Sequence, residues 1–301
     1  MLEGADIRTV VRDDVTLSVV CAGWARRPTV VFIHGYPDTK SVWYPVLERL
    51  ASAFRVVAYD VRGAGQSSAP RGPAAYSFAH LAADFEAVCE AVAPGAAVHL
   101  VGHDWGGIQG WEFATSARLA GRLASFTSIA GPALGHAVVA TREPLRRGRL
   151  PTWLAHVRRS WYIAPLCLPG GPTLAWRGVL SPERWRQTLM TVEGLTVDGD
   201  YPAATLVADG LHGANLYRRN ILPLLGRSVS LASAQVPVQL VVPTGDRFIS
   251  ASYYDAAERI APGLRRRTVA GSHWAQRSHP ELVARWVAEF VTETETGSGR
   301  A

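Results

Sequence analysis

Short apolar runs, separated by stretches of helical periodicity, constrain the fold of this chain most. The runs are rich in Val, Ile and Phe, and their apolarity is nearly continuous: 29–34 (TVVFIH), 54–60 (FRVVAYD), 97–102 (AVHLVG), 125–130 (SFTSIA) and 236–244 (VPVQLVVPT). Continuous apolarity is expected of strands buried on both faces of a parallel sheet. Between them, residues 78–92 carry apolar side chains at three- and four-residue spacing, which predicts a helix. The sequence therefore predicts an α/β fold with a mostly parallel central sheet and helices on both faces, extended at one edge by an antiparallel hairpin at 9–20.

Residues 133–233 break this alternation. The segment is rich in Trp, Arg, Pro and Leu, with helical character but no clean apolar strand. Strand and helix then alternate again, up to a last helix predicted from Pro280 to about Val291. We therefore expect a core made of 1–132 and 234–291, a helical cap at 133–233 over one end of the sheet, and a disordered tail at 292–301.

Composition limits the classes of function. Hydrophobic residues make up 48% and charged residues 19%, as in an ordinary globular protein. The opening MLEGADIRT lacks the apolar stretch of a signal peptide, and no apolar run is long enough to span a membrane. Three widely spaced cysteines favour a reduced, cytoplasmic protein, and no metal or other cofactor is expected.

The net charge of +6 raises the question of a nucleic-acid partner. The densest basic clusters, at 146–149 and 265–267, are short and lie in no recognisable nucleic-acid motif. We interpret them as solvated surface and expect no nucleic-acid partner.

The segment GHDWG at 102–106 fits the pattern small-x-nucleophile-x-small between a strand and a helix. Small residues are needed there because the turn forces the central residue into strained backbone angles. Such a turn exposes the side chain of Asp104 at the carboxyl end of the sheet, where open α/β sheets bind ligands. Alternatively, Asp104 only caps the helix that begins near Trp105. The pentapeptide alone does not distinguish the two interpretations.

Three other segments favour a nucleophile. Asp246 (VPTGDRFIS) and His273 (AGSHWAQ) each follow a predicted strand, in the chain order nucleophile, acid, histidine of α/β hydrolases. The turn HGYP follows the strand at 29–34, and the backbone N–H groups of Tyr36 and Trp105 would form an oxyanion hole. We therefore predict that Asp104, Asp246 and His273 form a catalytic triad.

From about Val15 to Val291, the chain resembles the epoxide hydrolase branch of the α/β-hydrolase superfamily. The resemblance rests on HGYP, DVRGAGQSS (60–68), GHDWGG and the GxHW form of the histidine loop. It implies an α/β-hydrolase fold with a cap, and it gives Asp60 and Arg62 a structural role below the site. Ser272 departs from the glycine that the family usually has before the histidine. The chain is also similar to hydrolase segments that are fused to reductases.

A carboxylate nucleophile implies displacement at a saturated carbon and an alkyl-enzyme ester. Water activated by His273 and oriented by Asp246 would then hydrolyse that ester. The resemblance assigns the two tyrosines that polarise the epoxide oxygen to Tyr162 and Tyr217, and a phenol with a pKa of about 10 stays protonated at neutral pH. The sequence thus predicts an enzyme that converts an epoxide to a vicinal diol.

The substrate is expected to be a small, apolar epoxide, because the predicted cap is rich in tryptophan. The predicted substrate-binding residues are Trp105, Trp161, Tyr36 and Trp274. The sequence is compatible with a homodimer, and it does not identify the physiological epoxide.

Two alternatives remain open. Haloalkane dehalogenases share HDWGG, and Trp105 with a cap tryptophan such as Trp161 could bind a halide. Against this, Tyr36 stands where those enzymes often have an asparagine that binds the halide. The second alternative is a non-catalytic binding domain on a hydrolase scaffold, which loss of a triad residue would favour; no triad residue is lost.

Overall fold

A single sheet forms the centre of the molecule. The computed structural model describes residues 4–199, 201–224 and 232–298. Within them, eight strands pair in the order β1-β2-β4-β3-β5-β6-β7-β8. The strands are β1 (Asp6–Arg12), β2 (Val15–Ala22), β3 (Thr29–Ile33), β4 (Arg55–Tyr59), β5 (Val98–His103), β6 (Leu123–Ile129), β7 (Val238–Pro243) and β8 (Arg265–Val269).

The sheet is parallel except at one edge. β1 and β2 form an antiparallel hairpin, β2 pairs antiparallel with β4, and the other neighbours pair parallel. The predicted sheet and its edge hairpin are therefore confirmed.

Helices cover both faces of the sheet. The core helices are α1 (Tyr44–Leu50), α2 (Phe78–Val92), α3 (Trp105–Ala114), α10 (Ala257–Ile260), α11 (Ala275–Ser278) and α12 (Pro280–Ser298). Alternate residues of β3 point to opposite faces, as the pleat requires. Val31 and Ile33 pack in the apolar cluster that includes α2 and α3, whereas Val30 and Phe32 pack in the cluster that includes α1 and α12. This burial on both sides explains why the strands are apolar along their whole length.

The segment between β6 and β7 is helical. It comprises α4 (Leu134–Arg146), α5 (Leu150–Arg159), α6 (Ile163–Cys167), α7 (Gly171–Leu174), α8 (Pro182–Thr191) and α9 (Leu206–Asn220). Helix α9 is bonded to the core at both ends: Asp209 Oδ1 accepts from the Gly65 N–H at 2.8 Å, and Asn220 Nδ2 donates to Tyr76 O at 3.0 Å. These contacts hold α9 against the loops that follow β4.

The prediction of a disordered tail from residue 292 is wrong for 292–298, because α12 continues to Ser298. The added turns are tied to the sheet: Glu293 pairs with Arg265 of β8, and Glu295 Oε1 lies 3.1 Å from His99 Nε2 of β5. The sequence pattern missed these long-range pairs because they join residues far apart in the chain. Residues 299–301 lie outside the described residues.

Parallel strands place their carboxyl ends at one edge of the sheet. The turn after β3 carries Tyr36, the end of β5 leads into Asp104, and the loops after β7 and β8 carry Asp246 and His273. The fold therefore brings four distant segments to the same edge.

Candidate active site

Asp104 lies in a sharp turn between β5 and α3. Its backbone angles, φ 50° and ψ −117°, are strained for a residue with a side chain. A Cβ atom on Gly106 would lie 2.1 Å from the Ile33 carbonyl oxygen, and one on Gly102 would lie 2.3 Å from the Gly106 carbonyl oxygen. Both glycines are thus required by close backbone approach. The Asp104 side chain makes no capping bond to α3, so the capping interpretation is not supported.

His273 lies between two carboxylates. Its Nδ1 is 2.8 Å from Asp246 Oδ2, and its Nε2 is 3.6 Å from Asp104 Oδ2. Asp246 is itself held by backbone N–H donors, since its Oδ1 accepts from Phe248 at 2.8 Å and from Ile249 at 2.9 Å. The acid is therefore fixed in place and orients the imidazole ring with Nε2 toward Asp104.

The second carboxylate oxygen of Asp104 is bound by the HGYP turn. The Tyr36 N–H donates to Asp104 Oδ1 at 2.9 Å, as expected of one oxyanion-hole donor. A Cβ atom on Gly35 would lie 2.5 Å from both Cβ and Oδ1 of Asp104, so only glycine fits before Tyr36. The N–H of Trp105 stays a prediction as the second donor.

The carboxylates of Asp246 and Asp104 shift the pKa of His273, and His273 shifts the pKa of Asp104. Burial lowers the pKa of His273, but the nearby carboxylates of Asp246 and Asp104 outweigh it and hold this pKa well above its ordinary value. Burial raises the pKa of Asp104, but the hydrogen bond and charge of His273 more than offset this, so that pKa is lowered. The two carboxylates therefore favour the protonated form of the His273 imidazole.

Two tyrosines from the helical segment lie together near Asp104. The rings of Tyr162 and Tyr217 are 6.3 Å apart, and that of Tyr217 lies 4.9 Å from the ring of Trp105 and 5.2 Å from that of Tyr36. Burial is the main reason why the pKa of both phenols is raised well above the ordinary value, and nearby groups that include Asp104 raise it further. Both phenols are therefore protonated at neutral pH and can donate a hydrogen bond.

Of the predicted substrate-binding residues, the structure brings Tyr36, Trp105 and Trp274 together around the triad. Trp274 is buried, its ring lies 4.8 Å from the ring of His273, and its Nε1 donates to Asp38 at 2.8 Å. Trp161 is different, because 68% of its surface is exposed. It lies in the turn after α5, while its neighbour Tyr162 packs against Tyr217, and substrate binding by Trp161 stays a prediction.

Several residues of this site were not predicted. The ring of Phe248 packs between Tyr162 and His273, at 5.7 and 5.2 Å. Trp176 Nε1 donates to the Tyr36 hydroxyl at 2.6 Å. Phe248 lies two residues after Asp246 and could have been found by its place in that loop. Nothing in the sequence distinguishes Trp176 from the other tryptophans of the helical segment.

A second buried acid lies behind the triad. Burial raises the pKa of Asp38 to about 7, and its Oδ2 lies 4.0 Å from His103 Nδ1. His103 Nε2 lies 3.1 Å from the His273 carbonyl oxygen, and burial lowers the pKa of His103 to about 3. His103 is therefore neutral and donates through Nε2. Asp38 directly follows HGYP and His103 lies within GHDWGG, so the motifs contained both without indicating their contact.

Asp60 and Arg62 make structural contacts, as predicted. Lys40, the only lysine in the sequence, is buried with its Nζ 2.5 Å from Asp60 Oδ2. Arg62 makes two hydrogen bonds to Asp84, both 2.6 Å. These pairs tie the loops after β3 and β4 to the core.

The histidine loop accommodates Ser272. Its hydroxyl donates to the Glu193 carbonyl oxygen at 2.8 Å, and the Glu193 carboxylate accepts from the His273 N–H at 3.2 Å. The departure from glycine therefore adds a bond between the core and the helical segment. Among the described residues, no group of three or more His, Cys, Asp and Glu side chains could hold a metal ion.

Comparison with known proteins agrees with this fold. A family profile described as alpha/beta hydrolase fold matches residues 28–280, and the chain belongs to this family. It is 35% identical over 286 residues to "Probable oxidoreductase EphD" of Mycobacterium tuberculosis, covering 93% of this chain and 48% of that protein. It is also 27% identical over 323 residues to "Epoxide hydrolase A" of M. tuberculosis, covering 96% and 98%. The chain thus spans about half the length of the first of these relatives.

Solved structures confirm the fold. The structure of a Bacillus megaterium epoxide hydrolase in complex with an inhibitor superposes with a TM-score of 0.77 at 21% identity, covering 95% of this chain and all of that one. The resemblance to epoxide hydrolases is therefore found in both sequence and fold. In the described part of the chain, no helix is long and apolar enough to cross a membrane.

Proposed function

We propose that this chain is an epoxide hydrolase, which converts an apolar epoxide to a vicinal diol through an alkyl ester on Asp104. One observation carries the proposal: the two Asp104 oxygens have different surroundings. Oδ1 is bound by the Tyr36 N–H at 2.9 Å, while Oδ2 is directed toward His273 at 3.6 Å. Oδ2 is thus available for attack, and Oδ1 is already positioned as the carbonyl oxygen of the ester.

In the first step, Tyr162 and Tyr217 donate hydrogen bonds to the epoxide oxygen. Asp104 Oδ2 attacks one ring carbon, the carbon–oxygen bond of the ring breaks, and the alkoxide takes a proton from a tyrosine hydroxyl. Closely packed aromatic rings around Asp104 favour an apolar substrate.

In the second step, His273 removes a proton from water, and the water oxygen attacks Cγ of Asp104. His273 can act as this base because ester formation removes one of the two negative charges beside it, so its pKa falls. Its proton then passes through solvent to the tyrosinate that ring opening leaves, which restores the phenol and makes the imidazole neutral. The Tyr36 N–H stabilises the negative charge on Oδ1 of the tetrahedral intermediate. The bond between Cγ and the ester oxygen then breaks, the departing alkoxide takes the proton of the new carboxyl group through His273, and the diol leaves with the Asp104 carboxylate and protonated His273 restored.

We propose residues 133–233 as the cap that supplies both tyrosines. The dehalogenase alternative is less well supported, because Tyr36 stands where those enzymes often have an asparagine that binds the halide. The complete triad argues against a non-catalytic scaffold, and the homodimer and the cytoplasmic location stay predictions.

Trapping the ester tests this proposal. We expect His273→Gln to form the ester but fail to hydrolyse it, so that incubation with an aryl epoxide adds the mass of one epoxide to the peptide that contains Asp104. Asp104→Asn should give no adduct, and His136→Gln, at a buried histidine outside the triad, should turn over without accumulating one. Absence of the adduct in His273→Gln, with the fold intact by circular dichroism, would contradict the proposal.

A further inference from the structure

Exposed apolar side chains are concentrated in the helical segment between β6 and β7. Of the fifteen large apolar side chains that are exposed among the described residues, twelve lie in this segment, and only Ile7, Val11 and Trp24 lie elsewhere. Scattered exposed apolar residues are normal, but a concentration on one part of a molecule marks an interaction surface.

Helix α5 carries the centre of this surface. Leu150, Leu154 and Val157 are 50%, 51% and 41% exposed, and their i, i+4, i+7 spacing places them on one face of the helix. Trp161, 68% exposed, lies two residues after the end of the helix. The inward side of α5 is held by His156, whose Nε2 lies 3.3 Å from the Ser252 hydroxyl of the core. The apolar face therefore points away from the core. We call the segment from Leu145 to Trp161 the outer cap face.

The outer cap face is strongly basic. Residues 145–161 contain five arginines and no Asp or Glu. Arg147 pairs with Glu143, one turn earlier in α4, whereas Arg146, Arg149 and Arg158 are exposed. Arginine next to exposed Leu, Val and Trp on a helix is the pattern of a helix that lies in the interface of an anionic membrane.

We propose that the outer cap face docks this protein on an anionic phospholipid surface. Leu150, Leu154, Val157 and Trp161 would enter the boundary between headgroups and acyl chains, and the arginines would bind lipid phosphates. Charge favours this occupant over a second copy of the chain, because two identical faces with five arginines each would repel. The inference does not depend on the hydrolase activity, since it rests on the outside of the segment and not on the triad.

Co-sedimentation with lipid vesicles tests the inference. We expect the full chain to pellet with vesicles of equimolar phosphatidylglycerol and phosphatidylcholine at low salt, about 50 mM, but not with phosphatidylcholine alone. The variant Leu154→Ser/Trp161→Ala should bind at least about 10-fold more weakly. Its matched control is Trp24→Ala, which removes a tryptophan that is 74% exposed on the core and should leave binding unchanged.

The charges are tested separately. Arg146→Gln/Arg149→Gln/Arg158→Gln should weaken binding on the order of 100-fold, because each arginine near an anionic surface contributes a factor of about 5. The control variant is Arg26→Gln/Arg27→Gln/Arg266→Gln, which removes three exposed arginines from the core. It should bind vesicles as tightly as the unchanged chain does. Melting temperatures within a few degrees of one another establish that all variants are folded.

Three results would overturn the inference. The first is failure of the folded chain to pellet with anionic vesicles at low salt. The second is equal binding by the outer-cap-face variants and their core controls. The third is a dimer in solution that Leu154→Ser/Trp161→Ala dissociates while vesicle binding is absent, which would make a second copy the occupant.

Discussion

At the scale of single residues, the two oxygens of Asp104 are the centre of the site. The strained backbone of Asp104 directs its carboxylate between the Tyr36 N–H and His273. A serine hydroxyl has a single oxygen and would not fill both positions. The carboxylate can therefore act as nucleophile through one oxygen while the other is already bound by the group that stabilises the second step.

Two phenols are needed to open the epoxide in this account. Tyr162→Phe/Tyr217→Phe should lower kcat/KM for an aryl epoxide by at least about 100-fold, because no donor then meets the developing alkoxide. Each single variant should lose less, since one phenol remains. Tyr59→Phe, which removes a buried hydroxyl from β4, is the control and should retain activity. Full activity in the double variant would contradict the role of the tyrosines.

Asp38 makes stability depend on pH. Burial raises its pKa to about 7 in the folded protein, above the ordinary value of about 4. A carboxyl group with a raised folded-state pKa contributes stability at low pH, and this contribution is lost as pH rises from about 4 to 7. Asn cannot ionise, so the melting temperature of Asp38→Asn relative to the unchanged chain should rise by at least about 2 °C between pH 5 and pH 8. Asp14→Asn, at an exposed carboxylate, should show no such trend, and a pH-independent difference for Asp38→Asn would contradict the assignment.

At the scale of elements, the turn after β3 and the turn after β5 are built against each other. Gly35, Gly102 and Gly106 allow the backbones and the Asp104 side chain to approach more closely than any Cβ would permit. The site is therefore formed by backbone geometry at the strand ends as much as by the catalytic side chains.

Gly35→Ala tests this contact. The added methyl group would lie 2.5 Å from Asp104 Oδ1 and must displace the carboxylate, so we expect kcat to fall by about 100-fold or more. In Gly178→Ala the new Cβ would meet Leu174 at 3.6 Å, an ordinary contact, and activity should be kept. Both variants are measured by steady-state turnover and by thermal melting. An unchanged kcat in Gly35→Ala would show that the turn is less tightly packed than described.

Local pattern was sufficient to predict the elements of the core. Continuous apolarity identified the buried strands, and three- and four-residue spacing identified α2 with the bounds that the structure has. The last helix was ended too early, because the bonds of Glu293 and Glu295 to the sheet carry no local signal. The exposure of Trp161 could not be predicted either. Trp161 lies in a turn, and a turn has no regular period from which the exposed side of each residue could be inferred.

At the scale of the whole molecule, the catalytic groups come from segments far apart in sequence. Parallel strands collect Tyr36, Asp104, Asp246 and His273 at one edge, so a topology inferred from the strand pattern was enough to predict that they meet. The contacts of Trp176 with Tyr36 and of Phe248 with Tyr162 depend on how the segment between β6 and β7 packs on that edge. Sequence pattern does not specify that packing, because it rests on side-chain shape across the whole interface.

The helical segment has two functional sides in this account. Its inner side supplies Tyr162 and Tyr217 to the site, and its outer side exposes the apolar and basic outer cap face. Trp161 and Tyr162 are neighbours in sequence and belong to opposite sides. The two proposals are therefore tested by different residues, and either can fail without the other.

The central claim is that Asp104 forms a covalent ester, and a single turnover in ¹⁸O-labelled water tests it most directly. Enzyme is used in excess over an aryl epoxide, so that each molecule turns over once. The oxygen that the epoxide gains on becoming a diol should come from the Asp104 carboxylate, and an oxygen from water should take its place in that carboxylate. Mass spectrometry should then show the label in the peptide that contains Asp104 and an unlabelled diol. A labelled diol from the first turnover, with no label in that peptide, would mean direct attack by water and would contradict the account.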